Sequence, residues 1–262
     1  MTKTNSTAKK RGLQPSVKVG DVIATYRSGN VTVIEYIDSK NVTVRFNDEH
    51  GHELKTTTGN LKAGSVKNPY TPIIYGVGYF GVGRFKAGIG KNDTVEYKAW
   101  AHMICRCYDE KELLKYPTYR GCTVHPDWHN FQVFAKWYTS HKYYGLGYHL
   151  DKDLLFPGNK IYSAHNCELV PSQINTLLID AGANRGDLPI GVSYNKRSRK
   201  YTSYLRIDGN KKFLGYFDCH NKAHEAYKRS KREHIKTKAL EWRCRMDERV
   251  FESLLSISNK LI

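Results

Sequence analysis

Between residues 20 and 58 valine alternates with polar residues in the runs DVIATY, NVTVIEYI and NVTVRF, and turn-forming RSGN and DSKN separate them. A period of two marks half-buried strands, so residues 16–72 are expected to form a small antiparallel β module of SH3-barrel type. The period then lengthens. Over residues 94–108 the apolar positions Tyr97, Trp100, Ile104 and Tyr108 recur at helical spacing, and residues 127–141 repeat this with Phe131, Phe134 and Tyr138. The glycine-rich run YGVGYFGVGRFKAGIGK (75–91) is too poor in side chains for a helix. It is expected to be a linker over 73–93 or an extended segment tracking nucleic acid. Residues 146–178 fit strand (YHLDKDLL), long loop, short strand (CELVP) and helix (SQINTLLI). A hinge is expected at 183–188. Three strands (PIGVSYN, KYTSYLRID, KKFLGYF) and a helix (HNKAHEAYKRSKREHI) follow over 187–240, and then a helical tail over 241–262. The fold class expected is α+β and multidomain, with the central module over 94–182.

Charge changes the picture. Lys and Arg total 42 against 25 acids, a net +17, with a pI near 9.5. Such a field attracts polyanions, nucleic acid first and anionic membrane second. Residues 1–15 hold Lys3, Lys9, Lys10 and Arg11 and no acid, as a disordered basic arm would. No apolar segment follows it, and no run is long enough for a bilayer span, so neither a secretory signal nor a membrane location is expected. Cys105, Cys107, Cys122, Cys167, Cys219 and Cys244 form no CxxC pair. They read as reduced thiols of a cytoplasmic protein, buried as small apolar residues in preference to a zinc site of Cys105, Cys107, Cys122 and a histidine.

Within HLDKDLLFPGNKIYSAHNCELVPSQIN (149–175), alternation places His149, Asp151 and Asp153 on one strand face. The loop returns through His165 and Asn166, and the next helix delivers Asn175. Oxygen donors converging in this way suit Mg²⁺ or Mn²⁺, which stabilises the leaving oxygen of a phosphodiester while a base activates water. The stretch resembles the ββα-metal fingerprint of HNH nucleases, particularly the phage homing-endonuclease branch: LDKD matches the strand, NCELVP the second part and SQIN the helix. The resemblance spans about residues 94–180. It implies Asp151 and Asn175 as metal ligands, Asn166 as the loop-fixing amide, and products with 5′-phosphate and 3′-hydroxyl ends. Where the family carries its base histidine this chain has Asp151 or Lys152, depending on register. The base is then His149 from the same face, or Asp151.

Residues 187–238 contain fourteen Lys/Arg and five Asp/Glu, over half of the chain's excess charge. In YTSYLRI, Ser203, Leu205 and Ile207 face one way, toward Ala223, Ala226 and Tyr227 of the helix, while Thr202, Tyr204 and Arg206 face the other. Lys196, Arg197, Arg199, Lys200, Lys211 and Lys212 flank that second face, which suits a β-reader of the major groove. The segment resembles the AP2 domain in Gly191-Val192, YLRI, Leu214-Gly215-Tyr216-Phe217 and AHEAY. By position the resemblance places Ser193, Asn195, Tyr204, Arg206, Lys211, Phe213 and Tyr216 at DNA-facing sites.

Two weaker motifs remain. GVGYFG (76–81) fits GxGxxG but has no helix after it, and no GxxxxGK[ST] loop exists, so no nucleotide cofactor is expected. HKYYGLGYH (141–149) interleaves lysine and tyrosine, as a guide for the strand to be cut or as a hydrophilic loop. The expectation is a site-specific HNH-type endonuclease, monomeric, acting on double-stranded DNA with a divalent metal in the cytoplasm of a phage-infected bacterial cell. The alternatives are a DNA-binding protein with a degenerate nuclease hairpin and an RNA- or ribosome-associated binder.

Overall fold

The computed structural model describes residues 17–178 and 187–261. The basic arm expected at 1–15 and most of the hinge at 183–188 lie outside the described residues. The chain divides into two compact units, residues 1–84 and 85–262.

The first unit is an antiparallel meander of β1 (Val22–Ala24), β2 (Asn30–Asp38), β3 (Asn41–Phe46) and β4 (Glu53–Thr56), in that spatial order. Alternation sends Val31, Val33, Val42, Val44 and Phe46 to one side, where they are buried together with Val17, Leu61 and Val66. The barrel expected from the strand pattern is not formed: among the described residues the sheet stays open, with β1 and β4 at its edges. The physical reason is the short helix α1 (Thr58–Lys62), which Thr57 caps and which inserts Leu61 into the apolar face. A helix covers that face where a closing strand would otherwise be needed.

The glycine-rich segment contains the boundary between the units and is not extended. On one side, Gly81 donates to the Pro69 carbonyl and Ile74 bridges Gly78. On the other, the Gln132 side chain bonds both the N–H and the C=O of Phe85, each at 2.9 Å. A small ribbon of β5 (Gly88–Ile89) and β6 (Asn92–Asp93) follows.

In the second unit α2 (Val95–Tyr108), α3 (Glu110–Lys115) and α4 (Phe131–Ser140) brace the hairpin. Trp100, Ile104, Phe131 and Phe134 are fully buried, and the Trp100 indole donates to the Trp128 carbonyl at 2.7 Å. Strand β7 (Thr123–Val124) pairs in parallel with β9 (Ile161–Tyr162), and β8 (His149–Asp151) pairs antiparallel with β10 (Glu168–Val170), which leads to α5 (Ser172–Leu177). Then β11 (Val192–Asn195), β12 (Lys200–Ile207) and β13 (Asn210–Phe217) form an antiparallel sheet, followed by α6 (His220–Trp242) and α7 (Glu248–Asn259). The 240/241 boundary expected from sequence falls inside α6. Its first half packs Ala223, Ala226 and Tyr227 under the three-stranded sheet. Its second half buries Ile235 and Ala239 against Leu154, Val170, Ile174, Leu177 and the α7 residues Val250 and Leu254. Among the described residues no helix is long and apolar enough to cross a membrane.

Gly191 fixes the start of the sheet. It has φ +78°, and a Cβ built there would lie 2.1 Å from the Tyr227 ring. Gly191→Ala therefore adds left-handed strain to a hard clash. We expect a loss of about 2 kcal/mol or more in stability, read as a lowered urea midpoint at unchanged slope.

Candidate active site and nucleic-acid interface

The hairpin pairs His149 with Val170, Leu150 with Leu169 and Asp151 with Glu168. His149 and Asp151 thus share a face of the ribbon, as the alternation requires. Asp153 does not join them. Asp151 Oδ1 accepts the N–H groups of Asp153 at 2.8 Å and Leu154 at 2.7 Å, which folds the chain out of the strand. An aspartate that captures backbone donors ahead of it ends a ladder in this way. Asp153 is left exposed, with its carboxylate 2.6 Å from the Lys152 ammonium.

Helix α5 is seated by buried Ile174 and Leu177, and this brings Asn175 Nδ2 to 3.4 Å from His149 Nδ1. A half-turn of that amide sets Oδ1 on an Nδ1–H and leaves the Nε2 lone pair free, the tautomer a general base needs. The structure therefore joins His149 to Asn175 and sets Asp151 on the same strand face. Asn166 sits elsewhere. Its Nδ2 donates to Asn159 Oδ1 at 3.1 Å and to the Ile161 carbonyl at 3.3 Å, and it makes no bond to His149, Asp151 or Asn175.

The centre of that loop network is Asn159, which sequence reading passed over. Its Nδ2 donates to the carbonyls of Lys152 at 2.9 Å and Ile161 at 2.8 Å, and its Oδ1 accepts from the Ile161 N–H. The Asn159 carbonyl in turn accepts from Lys152 Nζ at 3.2 Å. Lys152 is 5% exposed, and its ammonium also lies 5.7 Å over the Tyr162 ring. Lys152 is committed to the loop interior, and Asp151 stays on the His149 face. The only sequence sign of the clamp was GNK at the end of a turn, which resembles any loop.

Burial pushes the Asp151 carboxyl up, and the two backbone N–H groups offset this only in part. Its Oδ2 takes no hydrogen bond among the described residues. No group of three or more His, Cys, Asp or Glu among the described residues is placed to hold a metal ion. Asp151 Oδ2 and the Asn175 amide oxygen are hard donors of the kind Mg²⁺ takes, with water and substrate phosphate to complete its shell. Cys107 and Cys122 are buried and Cys105 is half-buried; burial first, with Cys122 beside it, pushes the Cys107 thiol up to about 12.

The three-stranded sheet has two different faces. Cross-strand pairing sets Thr202 between Ser193 and Tyr216, Tyr204 beside Phe213, and Arg206 beside Lys211. Between Ser203 and Tyr204 the register shifts and leaves Leu214 unpaired on β13. This bulge turns Phe213 and Tyr216, three residues apart, to the same side. Phe213 is 46% exposed and Tyr216 52%. Lys211 Nζ lies 3.9 Å over the Tyr204 ring. Asn195 Oδ1 holds the β11–β12 turn by accepting from the N–H groups of Arg197 and Ser198, and this turn carries Lys196 and Arg197; Lys200 opens β12 beside it. Thr202, expected on the face of Tyr204 and Arg206, is 2% exposed, and its hydroxyl bonds Ser193 Oγ at 2.8 Å.

Two further features had no periodic signal. Buried Glu168 lies 2.5 Å from His141 Nε2 and 2.8 Å from Arg249, tying α4, β10 and α7 together. Lys231 donates to the Leu177 carbonyl at the end of α5 at 2.6 Å. No family model, curated protein or solved structure matches the chain.

Two outcomes follow from this geometry. The raised Asp151 pKa means that the folded state holds its proton to higher pH than the unfolded chain does. Ionisation therefore costs stability as pH rises above the unfolded value of about 4. Asp151→Asn keeps the oxygen that caps the turn, so it should melt at or above the wild-type temperature at pH 7, with the gap closing toward pH 4. A clear drop in melting temperature at pH 7 would contradict this. Asn159→Ala should speed amide exchange at Ile161 by about tenfold or more while leaving the three-stranded sheet protected.

Proposed function

We propose that this chain is a divalent-metal-dependent, site-specific endonuclease acting on double-stranded DNA. The observation carrying the reading is the His149–Asn175 contact beside Asp151 at the open side of a short ribbon, in the same compact unit as a sheet face rich in cations and aromatic rings. Phosphates attract that face through Lys196, Arg197, Lys200 and Lys211, and Arg206 suits bidentate contact with guanine. Asn175 orients the imidazole of His149, whose Nε2 takes the proton from the attacking water. Asp151 offers one free carboxylate oxygen, and Asn166 with Asn159 keeps the loop behind it in place. Asp151 and Asn175 would hold a divalent ion, which would supply charge stabilisation at the leaving oxygen. Products with 5′-phosphate and 3′-hydroxyl ends belong to the same reading.

A second reading, DNA binding without cleavage, draws on Asp151 spending one oxygen on backbone donors. Incubation with supercoiled plasmid separates the two. Nicking that needs Mg²⁺ or Mn²⁺, falls by about a hundredfold or more in His149→Ala and disappears in Asp151→Asn supports the enzyme. Retention of the plasmid on gels with no strand break under either metal supports the binder. Lys211→Ala should weaken duplex binding and flatten its salt dependence by about one phosphate contact.

A further inference from the structure

The middle of the sheet face is apolar where phosphate contact alone would leave it polar. Tyr204, Phe213 and Tyr216 run across β12 and β13 with centroids 5.3 and 5.0 Å apart. Phe213, the central ring, has no polar atom to offer a base. The rings prop one another at 54° and 63°, and the Lys211 ammonium covers one face of Tyr204. Stacking of unpaired bases needs open and roughly parallel ring faces. Steeply tilted rings instead form a ridge of edges. A two-stranded β-ribbon fits the major groove, and the one apolar group that a base pair shows there is the C5-methyl of thymine.

We infer that Phe213, with Tyr216 at its side, is a specificity-determining element that reads pyrimidine C5-methyl groups in the major groove. This rests on the duplex-binding reading above and adds the chemical class of base at the centre of the site. Charge complementarity supports the same occupant: Arg206 and Lys211 lie at one end of the ridge and Lys200 at the other, where phosphates border the groove. Along β12 the Arg206 position is about 6.8 Å from that of Tyr204, roughly two base-pair steps at 3.4 Å. The methyl contact and the hydrogen-bonding contact therefore address different base pairs. Tyr194, exposed on the first strand, belongs to the opposite face by register and takes no part.

The test uses the full chain without metal and short alternating A·T duplexes with G·C ends, compared with the same duplexes carrying deoxyuridine for thymidine. Removing only the methyl should weaken binding about threefold to tenfold, with the salt slope unchanged. In alternating inosine·cytosine duplexes, 5-methylcytosine for cytosine should restore a similar gain. Phe213→Ala should erase both differences, and Phe213→Leu should keep part of each. Lys211→Ala should weaken all four duplexes alike. Equal binding of the methylated and unmethylated duplexes by the wild-type chain overturns the inference and leaves the duplex-binding reading intact. Failure to bind any duplex removes that reading too. Tighter binding to a single strand of the same composition overturns the inference in favour of base stacking. The wild-type comparison stands without the variants, so a variant that fails to fold does not rescue the idea.

Discussion

The second unit depends on one helix that serves two surfaces. Along α6, Ala223 and Ala226 lie under the three-stranded sheet, and Ile235 and Ala239 lie in the core beneath the β8–β10 hairpin. A helix of this length spans about 35 Å, and small residues at the contacts let the sheet approach closely. Unfolding either half exposes apolar surface belonging to the other. Lys231 strengthens the join by donating to the last turn of α5, the helix that carries Asn175. Its ammonium is partly buried, and burial pushes its pKa down. The orientation of Asn175 toward His149 thus depends on packing set by a helix that begins under the three-stranded sheet. The sheet and the hairpin take their offset from one continuous helix.

That offset matters because the hairpin itself is small. β8 and β10 have three residues each, and two short strands alone are marginal in water. Their geometry comes from outside the ladder. Asn159 and Asn166 pin the connecting loop, and buried Lys152 fills its interior. Glu168 draws in His141 from the end of α4 and Arg249 from α7. Burial alone would raise Asp247 beside it, but its bonds to Arg249 and Lys142 more than offset that and hold it near 2. The hairpin is a short ribbon clamped at its loop, its edge and its base.

Much of this was legible in the sequence, and the physical reason is periodicity. Valine alternation gave β2 and β3. The spacing of Trp100, Ile104, Phe131 and Phe134 marked α2 and α4. The outward set Tyr204, Arg206, Lys211, Phe213 and Tyr216 follows from strand registers, although only the bulge at Leu214 reconciles Phe213 with Tyr216. What stayed hidden has no period. Asp153 keeps the alternating position but leaves the strand, because Asp151 takes its N–H. Leu61 on a five-residue helix covers the first sheet and removes the need for a barrel. Thr202 alternates outward yet is sealed by Ser193 and its neighbours. Asn159, Lys152 and Glu168 act through partners far away in sequence, and single polar letters do not announce such pairs. His149 and Asn175 stand out by their order along the chain, but their contact needs α5 seated in a core shared with residues of α6.

A chain with a net charge of +17 nonetheless gathers acids at its hairpin, and the structure gives each a different electrostatic fate. Glu168 is buried and shared between an imidazole and a guanidinium. Asp153 is exposed and joined to the Lys152 ammonium. Asp151 alone forms no ion pair among the described residues and is held by neutral backbone N–H groups. Backbone donors fix a carboxylate in place without cancelling its charge, whereas a cationic partner does both. A hard cation or a polarised water approaching this ribbon therefore meets one uncompensated, oriented oxygen beside His149. On the proposed reading, a phosphate drawn in by the basic residues elsewhere would be repelled at Asp151 unless a cation entered between carboxylate and phosphate. Asp151 is therefore the residue on which the two proposed readings, cutting site and binding scaffold, would differ.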